Sequence, residues 1–208
     1  MPPPAPSPRI WLASKSPRRG ELLAQIGVAW DVLKLREAPG RAPDIVEVAH
    51  DGEPPLHYIE RMARTKALAG WKTMIARELE RRPVLAADTE VIVDGEVLGK
   101  PADAGAATKM LARLSGRSHQ VATAVALRWG DDLHFALSES TVTLATLTRA
   151  RIARYVATGE PLDKAGGYGI QGPAAAFVIR IEGSYSGVMG LPLAETARLL
   201  AAAGFPVP

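Results

Sequence analysis

The chain has 208 residues, 47% of them hydrophobic and 23% charged, which suffices for one full core or two small lobes and excludes a disordered polymer. Its 25 Lys and Arg against 22 Asp and Glu leave a formal charge of +3, too weak a balance to call for a nucleic-acid polymer as partner, though a local basic pocket for phosphate is compatible with it. Cysteine is absent, so disulfides and thiolate metal sites are excluded, and no apolar run reaches the roughly 18 residues of a membrane-spanning helix.

Residues 1–8 are Pro-rich without an apolar stretch and read as a disordered tail, not a signal peptide. A cytosolic setting is the corresponding expectation. Residues 9–208 read as one domain. Residues 10–13 form a short apolar run of strand type. Ser14-Lys15-Ser16-Pro17-Arg18-Arg19 follows, then Leu22, Leu23 and Ile26 at helical spacing. Ser16 stands at the N-cap position and Pro17 at the first helical position. Residues 30–35 read as a second strand, and 36–55, rich in Pro, Gly and Asp, as a long loop. The spacing predicts a helix over 56–81 with Ile59, Met62, Ala63, Lys66, Ala67 and Gly70 on one face, ended by Pro83. Residues 84–87 are an apolar strand closing on Asp88-Thr89. Asp94-Gly95 then turns a hairpin between 90–93 and 96–98. A helix is predicted over 104–114 with Gly116 past its end. Strands follow over 119–128 and 133–147, a helix over 148–159 with Thr148 as cap, a Gly-rich stretch over 163–172, a strand over 176–182 and a last helix over 193–203. This mixture of strands and helices argues an α/β fold with a mixed sheet.

Several of these segments carry chemistry. A turn feeding a helix N-terminus aims free N–H groups and the helix dipole at an anion, and Ser14, Arg18 and Arg19 can add charge-assisted bonds there. The same residues also fit an N-cap with two solvated arginines. The spaced glycines of a Walker A loop are missing. Asp88, at the end of an apolar strand, is placed to hold a divalent cation or take a proton from water, or is simply a turn-forming Asp. Lys100 can offset phosphate charge or stand solvated. Lys66, on the apolar face of its helix, either snorkels outward or reaches an anion in a cleft. Glu47 lies in the long loop within reach of a metal. Four glycines within seven positions of 166–172 allow close approach to a ligand. There the Gln171 amide can pair with an imide edge such as that of uracil or thymine, unless the stretch is a plain flexible loop. His50, His57, His119 and His134 show no metal spacing and read as ordinary surface or satisfied histidines. With no Gly-x-Ser-x-Gly elbow, direct attack by a metal-activated water is the simpler mechanism.

Taken together, these segments resemble the Maf family of nucleotide pyrophosphatases. The matching pieces are Leu12-Ala13-Ser14-Lys15-Ser16-Pro17-Arg18-Arg19 with Glu21-Leu22-Leu23, then Ala63-Arg64-Thr65-Lys66-Ala67, Ala87-Asp88-Thr89 and Leu98-Gly99-Lys100-Pro101. Asp163-Lys164-Ala165-Gly166-Gly167-Tyr168-Gly169-Ile170-Gln171-Gly172 and Gly190-Leu191-Pro192-Leu193 complete them. They fall in family order and cover nearly all of residues 9–203. The resemblance implies a mixed twisted sheet with flanking helices and two lobes around a deep cleft. It implies hydrolysis of a nucleoside triphosphate between its α- and β-phosphates with Mg²⁺ or Mn²⁺. Asp88 matches the general base and a metal ligand, and Glu47 a metal-site glutamate. Arg18, Thr89 and Gln171 match positions linked to substrate choice, and Ser14, Arg19, Lys66 and Lys100 match phosphate-holding positions. The Tyr-Gly-Ile-Gln-Gly run resembles the dTTP/UTP subgroup. The alternatives are a purine-directed enzyme of the 7-methyl-GTP type and a non-catalytic regulator of division or septum formation. A homodimer is a family-level expectation. Lys15 and Glu90 depart from the family pattern, with small or apolar residues common at those places.

Overall fold

A computed structural model describes residues 9–36, 43–205 and 207; the tail expected at 1–8 lies outside them. A short strand, β1 (Arg9–Leu12), leads into helix α1 (Pro17–Gln25), and β2 (Ala29–Val32) returns parallel to β1. A long helix, α2 (Pro55–Ala76), then crosses to β3 (Val84–Val93), which is parallel to β1 on its other side. From β3 onward the chain turns antiparallel. β3 pairs with the short β4 (Glu96–Leu98) and, after helix α3 (Ala104–Leu114), with the long β5 (Ser118–Trp129). β6 (Asp132–Leu144) follows β5 as a hairpin, helix α4 (Arg149–Val156) leads to three 3-10 turns, and β7 (Val178–Glu182) closes the edge beside β6. Helices α5 (Tyr185–Met189) and α6 (Leu193–Ala202) end the chain. The sheet order is β2-β1-β3-β5-β6-β7, with β4 attached to the far end of β3. The expected mixed sheet with flanking helices is therefore present. No helix among the described residues is long and apolar enough to cross a membrane.

Side-chain alternation builds three apolar clusters on this sheet. The α2 stripe Ile59, Met62, Ala63, Ala67 and Met74 packs on Val84, Ala86, Ile92, Ala122 and Ala124 on one face. Gly70 lets the helix come close, since a Cβ there would meet Val84 at 2.7 Å. On the other face Leu22 and Leu23 of α1 and Leu199 and Leu200 of α6 cover Ile10, Leu12, Leu85 and Ala87. A third cluster lies at the far end, where α3 and α4 cover Val91, Val93, Val121 and Val142. Each fully buried aliphatic side chain contributes about 1.5–3 kcal/mol relative to exposure. The long strands run through both regions and so tie two lobes to one sheet.

The strand expected over 84–87 does not close on Asp88; it continues to Val93 because β5 pairs with it from Val84 to Ile92. The helix expected to reach residue 81 stops at Ala76, where Glu78 takes φ 52° and Leu79 N–H bonds back to the Met74 carbonyl. The strand expected over 30–35 ends at Val32. The Asp94-Gly95 turn has both residues at positive φ, 54° and 77°, as a two-residue hairpin requires. Thr148 caps α4 by accepting from Arg151 N–H.

Of the two expectations for the histidines, His119 meets the buried one, with one ring nitrogen satisfied. It is buried on β5, with Nε2 2.7 Å from the Tyr168 hydroxyl, and Nδ1 has no partner. Burial pushes its pKa down to about 4 from 6.5. The folded state thus favours the neutral ring, and the stability it holds is intact above pH 6.5 and lost as pH falls toward 4. In urea unfolding, wild type is expected to lose about 3 kcal/mol more than the non-titrating His119→Gln between pH 7 and pH 4. Parallel losses in the two proteins would contradict this.

Candidate active site

The site sits where the sheet opens. β1 pairs with β3 only at Val84 and Leu85, and β4 only at Val91 to Val93. Between these, Ala87 to Glu90 have β5 on one side and no ladder partner on the other. The cleft lies at the carboxyl end of β1, where the chain leaves for α1 on one face and, through β2, for α2 on the other. Such a switch point is where ligands enter open α/β sheets. A cavity of about 610 Å³ fills the opening, lined by all nine residues singled out from the sequence: Ser14, Arg18, Arg19, Glu47, Lys66, Asp88, Thr89, Lys100 and Gln171.

Alternation along β3 divides the site. Asp88 and Glu90 face α2, and Thr89 faces α1 and α5. On the α2 side Lys66 Nζ donates to Asp88 Oδ1 at 2.6 Å and lies 2.9 Å from Glu47 Oε1. Lys66 therefore points inward at carboxylates and does not snorkel. Asp88 Oδ2 and Glu90 Oε2 are shielded from solvent and have no hydrogen-bond partner. Burial, reinforced by Asp88 and Glu47 against Lys66 and Lys100, pushes the Glu90 pKa up to about 8. Glu47 is drawn the other way: burial would raise its pKa, but Lys66, Lys100 and Arg19 together pull it below the usual carboxylate range. The loop bearing Glu47 is clamped to α2 by Arg61, which donates to the Val48 carbonyl at 3.0 Å and to both Glu53 oxygens at 2.6 Å.

On the other side Arg19 is the hub. Its Nε donates to the Gly190 carbonyl at 2.7 Å, Nη1 to Ser14 Oγ at 2.9 Å and Nη2 to Thr89 Oγ1 at 3.2 Å. Burial draws its pKa below the ordinary value, with Asp88 opposing. The reading of two solvated arginines fails for Arg19, because this half-buried guanidinium spends its fork on a carbonyl and two hydroxyls. Ser14 Oγ also accepts from Ser16 N–H at 3.2 Å. With both its lone pairs engaged, the Ser14 hydroxyl has its proton left to donate. Ser16 holds the N-cap position of α1 without a side-chain cap bond, so the first-turn amides keep their capacity for an anion. Arg18 bridges the cleft mouth, its Nη1 3.4 Å from Asp163 Oδ2 at the Gly-rich segment.

That segment is held from below. Lys164 Nζ donates to the Glu160 carbonyl at 2.9 Å and to Asp163 Oδ1 at 2.7 Å, and Gly169 N–H donates to the Tyr155 hydroxyl at 3.3 Å. Gly166, at φ 67°, lies against Val91, and a Cβ there would meet it at 2.8 Å. Gly166 N–H bonds the Gly99 carbonyl at 3.1 Å, next to Lys100. Tyr168 and Ile170 are buried, and Gln171 is exposed at the cavity. The loop is thus a fixed wall and not a flexible connection.

Among the described residues, no three carboxylates or imidazoles form a ready-made metal cage. Glu47 and Asp88 do converge on one ammonium, with an unpaired buried oxygen on Asp88. That donor set suits a hard divalent cation taking one or two carboxylates and completing its shell from phosphate and water. Sequence reasoning missed Thr123, whose hydroxyl lies 2.9 Å from Thr89 Oγ1 and 2.8 Å from the Gly187 carbonyl oxygen, and Tyr168 with its partner His119. Thr123 sits within an unbroken apolar strand and gives no sequence signal of its own.

The Maf-like protein family matches residues 9–203. The chain belongs to the Maf family. A dTTP/UTP pyrophosphatase of Aromatoleum aromaticum is 51% identical to this Maf chain over 200 residues, covering 96% of it and 97% of that protein. One from Burkholderia pseudomallei is 53% identical over 202 residues, covering 96% of each. A solved Staphylococcus aureus Ham1 protein overlaps 66% of this chain and 72% of its own at 16% identity and a TM-score of 0.42. In this Maf chain the Arg19 fork joins Ser14, Thr89 and Gly190. Arg19→Lys keeps the charge but lacks the fork, so unfolding free energy is expected to drop by about 1–3 kcal/mol in urea denaturation. An unchanged midpoint and slope would contradict the hub role.

Proposed function

We propose that this Maf-family chain hydrolyses dTTP and UTP to the monophosphate and pyrophosphate. The observation that carries the reading is Asp88. Its Oδ1 is pinned by Lys66 while Oδ2, buried and unpaired, stands in a cavity that cationic groups line from both sides. A triphosphate brings about four negative charges, and Arg18, Arg19, Lys66 and Lys100 supply the compensating ones. The α1 amides and the Ser14 hydroxyl add donors. A water oxygen attacks the α-phosphorus, its proton passes to Asp88 Oδ2, and the bond from the α-phosphorus to the bridging oxygen breaks so that pyrophosphate leaves. Glu47 and Asp88 would hold a divalent cation, which supplies charge neutralisation and a template for the phosphates. Positioning and electrostatics carry most of the acceleration. Gln171 reads the imide edge of the base from the fixed Gly-rich wall, and Arg18 and Thr89 frame it. The names of the similar proteins favour this pyrimidine reading over a purine one.

Asp88→Asn is expected to reduce pyrophosphate release about 10²–10⁴-fold while the thermal unfolding profile stays that of a folded protein. Full turnover in that variant would refute the assignment. Across a panel of dTTP, UTP, CTP and GTP, Gln171→Ala is expected to narrow the differences in kcat/KM between bases more than it slows the best substrate. Equal losses on all four would count against base reading by Gln171.

A further inference from the structure

We infer that Lys66 stands in for the divalent cation until nucleotide arrives, so that the substrate is the metal–nucleotide complex and bare metal is held off. The inference rests on the pyrophosphatase reading above and goes into how that site is loaded. Lys66 Nζ lies between Asp88 Oδ1 at 2.6 Å and Glu47 Oε1 at 2.9 Å. These are the two carboxylates that a cation would use, and a divalent ion brought to that pair would be set against the positive charge of an ammonium already seated between them. The Lys66 and Asp88 side chains are only 12% and 9% exposed, so water cannot readily replace the ion pair, whereas the Glu47 side chain is 58% exposed. Arg19 and Lys100 act on Glu47 as well and add positive potential. A bare cation entering this site would have to strand a nearly buried ammonium.

A triphosphate changes that balance. Its oxygens offer the ammonium new acceptors, the four-carbon stem lets it swing to them, and both carboxylates are released together. Metal and nucleotide then bind with positive coupling, and by linkage each raises the other's affinity by the same factor. Lys66 is accordingly a positioning residue that sets the order of loading.

The test is Mn²⁺ binding followed by the electron spin resonance signal of the free ion, without turnover. For wild type, a non-hydrolysable UTP analogue with a methylene bridge between the α- and β-phosphorus is expected to tighten Mn²⁺ binding at least about 10-fold. Lys66→Met, and Lys66→Gln as a polar alternative that keeps the fold, are expected to bind Mn²⁺ alone at least about 10-fold more tightly than wild type and to gain much less from the analogue. Asp88→Asn serves as the control. If it binds Mn²⁺ beside the analogue as well as wild type does, the reading of the site itself is overturned. If that control is weakened but neither Lys66 variant binds Mn²⁺ alone more tightly than wild type, only the present inference falls.

Discussion

One interrupted edge organises the molecule. β3 is held by β5 from Val84 to Ile92, yet its other edge is paired only at the two ends, by β1 and by β4. A strand supported on one side can stay extended while the opposite edge stays open, and the open stretch carries Asp88, Thr89 and Glu90. Unpaired strand edges are normally covered or blunted. Here the cover is the cavity itself, walled by the α1 turn on one side and the Gly-rich segment on the other. Two lobes follow from the same feature. The apolar residues of β3 before the opening belong to the cores under α1 and α2, and Val91 and Val93 beyond it belong to the core under α3 and α4.

The opening also explains how so many charges tolerate burial. A lone buried charge is costly, and pairing with further hydrogen bonds offsets much of that cost. Arg19 gives its fork to a carbonyl and two hydroxyls, and Lys66 gives its ammonium to two carboxylates. On the acidic side of the opening, Asp88 Oδ2 and Glu90 Oε2 stay unsatisfied. Glu90 meets that shortage by keeping its proton, its pKa standing near 8. Asp88, with one oxygen pinned, keeps the other for chemistry.

Local patterns reached most of the elements, because capping, turn and helix periodicity act over a few positions, while the roles of the nine residues gathered at the cavity came from the resemblance to the Maf family. The Asp-Gly hairpin, the Thr148 cap and the bounds of α3 follow from such short-range rules. What escaped depends on long-range pairing. Hydropathy breaks at Asp88, so sequence alone ends a strand there, yet β5 carries β3 across three polar residues. Helix α2 loses its last turn to a left-handed Glu78, which the apolar spacing does not encode. The five-residue α5 is too short for periodicity to register, and its only local mark is Ser184 accepting from Gly187 N–H. Thr123 and His119 matter through partners 34 or more positions away.

The two faces of β3 then separate two tasks that one cavity has to perform. Asp88 and Glu90 look toward Lys66 and Glu47, where charge is exchanged, while Thr89 looks toward Arg19 and Thr123, where geometry is fixed by hydroxyls and a guanidinium fork. The pleat alone makes this separation, since neighbouring residues of a strand point oppositely. A change of register by one residue would carry the carboxylates into the hydroxyl network and Thr89 into the carboxylate pair. Nine paired positions between β3 and β5 guard against that slip. The long antiparallel pairing that sequence could not foresee is thus what holds the acidic and the positioning sides of the site apart.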